Sequence, residues 1–197
     1  LTVQQYFNQD NETEKSIRDG IQTLWEEVEW NWYLNGSKAL FWHWSPNYGW
    51  EMNMHISGWN EALIVYVLAA SSPTYPITKE IYDNGWARNG AMRNGKKYYD
   101  ITLPLGSDKG GPLFFSHYSF LGLDPRGLSD AYASYWEQNV AHSKINYEYC
   151  KENPKGYAGY SDECWGLTAS DIPKGYTASS PTNDKGTIAP TAALSSM

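Results

Sequence analysis

The feature that most restricts this chain is the unbroken apolar run from Ala62 through Leu63, Ile64, Val65, Tyr66, Val67, Leu68 and Ala69 to Ala70. Ser57 stands before it as an N-cap and Ser72-Pro73 closes it, so the spacing predicts a helix over 57–71. That helix has no polar face. A helix that is apolar all round must be enclosed all round, and packed neighbours have to do the enclosing. The run is well short of the roughly 20 apolar residues that a bilayer crossing needs, so no membrane span is expected.

The remaining pattern is also helical, with long connections. Asn11 and Glu14 have capping-box spacing, and Ile17, Ile21, Leu24, Trp25, Val28 and Trp32 follow at helical intervals as far as Asn35-Gly36. A shorter helix is expected after Thr78, a short strand at 98–103, and a helix from Pro112 to Phe120. A long helix is expected from Ser129 or Asp130 to about Lys151, carrying Tyr132, Tyr135, Trp136, Val140, Ser143 and Tyr147 on one side. Residues 153–190 read as loop with room for one short helix near 165–169, and Pro190 opens another helix. These helices are too few to wrap the apolar one. The expectation is therefore an all-α fold with at most one short strand or hairpin, in which 1–197 is a single partial domain truncated at both ends.

Composition narrows the function. A hydrophobic content of 41% in 197 residues supports a buried core, while 15 Lys+Arg against 22 Asp+Glu give a formal charge of −7, which repels phosphate backbones. Nucleic acid is not an expected partner. The chain has 10 Trp and 16 Tyr but only 5 Phe, a bias toward rings that combine a flat apolar face with a polar handle. Such rings suit sugar clefts and interface pockets, whereas a plain core favours Phe and Leu. Cys150 and Cys164 fit neither zinc nor CxxC spacing, and either a disulfide or two buried thiols would satisfy the sequence. The four His lack HExxH or facial-triad spacing, so neither a metal site nor a cofactor is expected. The chain opens at Leu1 with no signal peptide, so any export signal would lie upstream.

Glu61 is the leading candidate for chemistry, because it is the only carboxylate in the expected apolar helix and falls in its first turn. Desolvation raises the pKa of such a group, as a general acid requires, while the helix N-terminus opposes the shift. A capping acid paired with a buried Arg is the plain alternative. Before it, residues 41–51 gather Phe41, Trp42, Trp44, Tyr48 and Trp50 in a loop kept irregular by Pro46 and Gly49. These rings, with Trp59, read as sugar-stacking platforms or as a hydrophobic plug. In residues 115–127, Ser116 and His117 are adjacent, a poor nucleophile–base pair, and no GxSxG elbow occurs. Asp124 and Arg126 read as a structural ion pair at a turn. Gly90 to Lys97 lacks the Ser or Thr of a P-loop, and Trp165 is a further platform in the long loop.

Several longer segments carry a resemblance: FSHYSFLGLDPRGLSDAYASYWEQN, then ENPKGYAGYSDECWGLTASD, then SPTNDKGTIAPTAALSSM, preceded by WNWYLNG and SGWNEALIVYVLAASSPTYPI. In this order they resemble the bacterial glucoamylase-like family, which includes endo-β-1,2-glucanases. The resemblance implies an (α/α)6 barrel with a glucan cleft at one end, an inverting acid/base hydrolysis of β-glucan, and export to the periplasm or cell exterior. It also implies that the family's essential glutamate, in a [Tyr/Trp]-x-Glu-Ala pattern, corresponds to Glu61. The substrate-binding set read alongside it is Trp42, Trp44, Trp50, Trp59, His117, Tyr118 and Trp165. Residues 84–110, with Arg88, Arg93, Lys96 and Lys97, are longer than the family's usual connection, so other β-glucan linkages and β-glucosidase-like exo-action stay open, as does a noncatalytic carbohydrate-binding protein.

Overall fold

The computed structural model describes residues 2–196. Contacts divide the chain into two compact units. One runs through Gly58 and resumes over Ala62–Asn89; the other comprises Trp59–Glu61 and everything from Gly90 onward.

The first unit holds α1 (Thr2–Tyr6), α2 (Glu12–Glu26), α3 (Leu63–Ser71) and the short α4 (Lys79–Ile81), which continues into a π turn over Tyr82–Trp86. The Asn11 side chain accepts from the Glu14 amide at 2.9 Å, as the capping spacing requires, and Glu14 Oε2 accepts from the Gln9 amide at 2.7 Å. The helix is shorter than its periodicity suggests. It ends at Glu26; Trp32 sits in a separate 3-10 turn, Trp32–Leu34, closed by Asn35 in the left-handed region.

Helix α3 is the apolar run, and it starts later than the sequence suggests. Ser57 does not cap it: the helix begins at Leu63, and Gly58, at φ +79°, donates its amide to the Trp86 carbonyl at 2.9 Å. Ala62 takes the cap position without a side-chain bond, and the helix stops at Ser72, whose extended backbone the following Pro73 requires. Leu63, Tyr66 and Ala69 are buried. The Tyr66 hydroxyl donates to the Ile56 carbonyl at 2.8 Å and accepts from the Leu40 amide at 3.1 Å, so one side chain fastens two connecting segments. Burial pushes its pKa up to about 12.

The second unit is built on α5 (Tyr135–Glu152). The expected strand at 98–103 is a hairpin, β1 (Lys97–Tyr98) paired with β2 (Ile101–Thr102) through Tyr99 and Asp100, both left-handed. The short helix expected near 165–169 does not form: 165–168 is irregular and leads into a second hairpin, β3 (Ala169–Ile172) with β4 (Gly175–Ala178). The expectation of at most one hairpin is thus corrected to two. Pro173 and Lys174 make the two-residue turn, and β-pairing satisfies backbone groups that one helical turn in so loop-like a stretch would leave open. α6 (Pro190–Leu194) has Pro190 at its start. The expected 112–120 helix is two 3-10 turns, Leu113–Ser116 and Tyr118–Leu121, broken at His117.

Helix α5 begins at Tyr135 rather than near Asp130. Asp130 instead closes a turn, accepting from the Tyr132 and Ala133 amides and from the Tyr135 hydroxyl. Ser134 caps the helix, and Asn153, left-handed, ends it ahead of Pro154. Of the residues expected together on one side, only Tyr135 is buried. Buried are Tyr135, Gln138, Ala141, His142, Ile145, Asn146, Tyr149 and Cys150, whereas Trp136 is exposed and Val140, Ser143 and Tyr147 are half-buried.

Gln138, His142 and Asn146, four residues apart, form a polar column inside this core. Gln138 accepts from the Leu105 amide at 2.8 Å and donates to its carbonyl at 3.4 Å; Asn146 does the same for Leu167 at 3.0 and 3.3 Å. His142 Nε2 lies 3.0 Å from the Gly111 carbonyl, so that nitrogen carries the hydrogen and Nδ1, 2.7 Å from Ser116 Oγ, accepts from the hydroxyl. Three irregular segments are therefore fastened to one helix. Asp184 does comparable work for the long loop, buried and accepting from the Tyr149 and Tyr160 hydroxyls at 3.0 and 2.6 Å. Cys150 and Cys164 are free thiols, and burial raises the pKa of Cys150 to about 11.

Candidate functional site

Glu61 lies in the turn just before α3, not in its first helical turn, and it is half-buried. Its carboxylate makes no hydrogen bond or ion pair with any described residue, so the alternative of a capping acid locked onto a cation does not describe it. Its backbone is fixed. The fully buried Ser119 donates its hydroxyl to the Glu61 carbonyl at 2.5 Å, and two residues earlier Trp59 is 7% exposed, lying near-parallel to Tyr135 at 6.1 Å between centroids. Gly106, at φ +94°, lets the backbone approach the Trp59 indole so closely that a Cβ there would stand 2.7 Å from Cδ1. Trp59 is thus a supporting ring with little surface left for a sugar.

His117 and Tyr118 directly precede Ser119. With Ser116, Phe120, Trp136, Asn139 and Ser143 they border a cleft of about 410 Å3, which Ser195 and Ser196 close. His117 Nε2 is 2.9 Å from Ser196 Oγ, and burial holds the His117 pKa below the usual histidine value, which favours the neutral ring. Tyr118 is 57% exposed and lies 5.4 Å from Phe114. The buried Oδ1 of Asn139 has no partner among the described residues and stands in the cleft wall, where a ligand hydroxyl could donate to it. Glu61 is not among the residues that line this cleft.

Sequence reasoning passed over Asn139 and placed Trp136, Val140 and Ser143 on one side of the helix without assigning that side a ligand. Their signal was their spacing: four residues on one face of α5, carrying an indole, an amide and a hydroxyl, describe a ligand-facing stripe as well as a packed one.

In the first unit, Trp42, Trp44 and Trp50 fall in the loop as expected, held by bridges Phe41↔His55 and Ser45↔Gly49. Trp32, unforeseen there, joins them: it lies 5.4 Å from Trp44 and 4.7 Å from Trp50, and Trp50 is 4.9 Å from Phe41. Trp42 and Trp44 keep open ring surface, at 46% and 41% exposure, while Trp50 is half-buried. Trp42 also borders an apolar hollow of about 260 Å3 with Trp30 and Tyr33. Trp165 stands elsewhere, edge-on to Tyr147 at 5.4 Å and packed against the Tyr149, Cys150, Tyr160 and Leu167 cluster. The anticipated Asp124–Arg126 pair forms, with Nη2 2.8 Å from Oδ2 on an exposed turn.

Comparison with known proteins places this geometry in context. Residues 53–197 match the family described as "Putative glucoamylase". The chain is similar to an exo β-1,2-glucooligosaccharide sophorohydrolase of Parabacteroides distasonis, 48% identical over the whole of this chain and 30% of that protein. It superposes on an endo-β-1,2-glucanase of Chitinophaga pinensis, solved in complex with sophorotriose and glucose, with a TM-score of 0.93, 53% identity and coverage of 100% of this chain and 48% of that one. A crystallised "putative glucoamylase" of Bacteroides uniformis gives a TM-score of 0.94 and 59% identity over 99% of this chain and 48% of that one. The chain spans about a third to a half of the length of these relatives.

Proposed function

Because this chain belongs to the glucoamylase-like family, we propose that it forms part of a glycoside hydrolase acting on β-1,2-glucan or its oligosaccharides, with Glu61 as the general acid. In this reading Glu61 protonates the bridging oxygen of the scissile bond while a carboxylate base of the full-length protein, directly or through a relayed water, takes the proton of the water that attacks the anomeric carbon, with inversion. Trp42, Trp44 and Trp50 offer ring faces to pyranose units, His117 and Tyr118 bond hydroxyls, and Trp165 stacks at the margin. Trp59 supports Glu61. The domain is read as an (α/α)6 toroid of which 1–197 is a part, and the apolar sides of α3 that stay half-buried are the surface such a toroid would cover. Work on an external glucan accords with a periplasmic or extracellular location. Among the described residues no helix is long and apolar enough to cross a membrane.

The observation that carries the proposal is a half-buried carboxylate with no hydrogen-bond or ion-pair partner among the described residues, on a backbone held by buried groups, in a chain 48% identical to a sophorohydrolase. The test is Glu61→Gln in the full-length protein. Sugar release from β-1,2-glucan should fall by about 10²-fold or more with the fold intact; near-normal release would refute the assignment. Glucan binding without sugar release by the unmodified protein would instead support a carbohydrate-binding role.

A further inference from the structure

The α3 hydrogen-bond ladder begins at the Ala62 carbonyl, which accepts from the Val65 amide at 3.1 Å. The Glu61 carbonyl therefore falls outside the helix and needs a partner from elsewhere. That partner is Ser119, which has no exposed surface. Ser119 belongs to the Tyr118–Leu121 turn, whose first residue borders the cleft, and its own carbonyl accepts from the Gly122 amide at 3.3 Å and the Leu123 amide at 3.1 Å. The turn that presents Tyr118 is thus the turn that holds the Glu61 peptide.

We propose that Ser119 is a positioning residue for Glu61: its hydroxyl fixes the peptide plane at the root of the carboxyl side chain, and with it the direction from which the carboxyl meets substrate. This rests on the reading of Glu61 as the general acid. The Trp59 indole holds the chain two residues upstream, and Ser119 holds the Glu61 carbonyl itself. A proton donor must stand within hydrogen-bond reach of the leaving oxygen, and a small rotation at its root carries a side chain as long as glutamate out of that reach.

The test compares two substrates in the full-length protein. A β-1,2-glucooligosaccharide needs its leaving oxygen protonated, whereas an aryl β-glucoside with an acidic nitrophenol leaving group departs with little help. Ser119→Ala should lower kcat on the oligosaccharide by about tenfold with KM nearly unchanged, leave the aryl substrate within about twofold, and Ser119→Thr, which keeps the hydroxyl, should recover most of the loss. Ser119→Cys, which nearly preserves volume but donates weakly, serves as a second variant should threonine disturb the packing, and should behave like alanine. An equal loss on both substrates, or no loss on either, overturns the proposal. Glu61→Gln separates the two claims: if it discriminates between the substrates and Ser119→Ala does not, only the positioning role fails; if Glu61→Gln itself does not discriminate, the general-acid reading fails.

Discussion

Helices α3 and α5 solve the problem of burial in opposite ways. α3 is apolar from Leu63 to Ala70, yet only Leu63, Tyr66 and Ala69 are buried, and the one polar side chain on its buried face, the Tyr66 hydroxyl, ties it to two segments. α5 has a mixed sequence yet buries one whole face, and three polar side chains on that face bind the backbone of three separate segments. The difference shows that apolarity states what a segment must be shielded from, whereas buried polar groups state what it must hold. Irregular loops expose amides and carbonyls that water can no longer reach, and a Gln, His or Asn on a rigid helix is an economical partner for them.

The contrast can be broken by mutation and by pH. The largest stability effect is expected for His142→Ala, which empties a buried ring site and strands the Ser116 hydroxyl and the Gly111 carbonyl; urea unfolding should show a loss of about 3 kcal/mol. A smaller effect follows from titration of the same residue. Desolvation depresses its pKa from 6.5 to about 4, so the unfolded state takes up a proton as pH falls through 6.5 while the folded state resists until about 4. Stability is complete above pH 6.5 and declines below it, by at most about 2 kcal/mol between pH 8 and 5 from this group. Replacement of His142 by Asn should flatten that part of the profile; an unchanged slope would place the titration in other groups.

Gln138→Leu asks whether the column must be polar. Loss of its bonds to Leu105 should cost about 2 kcal/mol, and a gain in stability would show that apolar packing suffices there. On α3, Tyr66→Phe should cost about 1 kcal/mol by leaving the Leu40 amide without its partner, measured by the shift of the urea midpoint. The smallest effect is expected for the half-buried Val67→Ala, under about 1 kcal/mol; a cost as large as that of His142→Ala would mean that α3 is enclosed more fully than it is in this chain.

Much of this was legible beforehand. Asn11 with Glu14, Ser72 with Pro73, and Asn153 with Pro154 marked true helix ends, because caps and proline act through neighbours a few residues away. The start of α5 was misplaced because Asp130 is equally suited to a turn, and its choice depends on the Tyr135 hydroxyl that meets it. The buried face of α5 was not legible because hydrophobic periodicity counts Trp136 and Val140 and gives Gln138, His142 and Asn146 no weight. The candidate acid was identified by its place before an apolar run, whereas Ser119, 58 positions away, carried no mark at all.

By itself the sequence determined several helix ends, at Asn11, Ser72 and Asn153, together with the aromatic bias and the carboxylate ahead of an apolar segment, because each depends on residues close together in the chain. Tertiary structure alone decided which face of α5 is inside, which loop becomes the second hairpin and which hydroxyl holds the Glu61 carbonyl. Those outcomes depend on backbone donors and acceptors that local sequence leaves unpaired, and their partners come from distant segments that only folding brings within 3 Å.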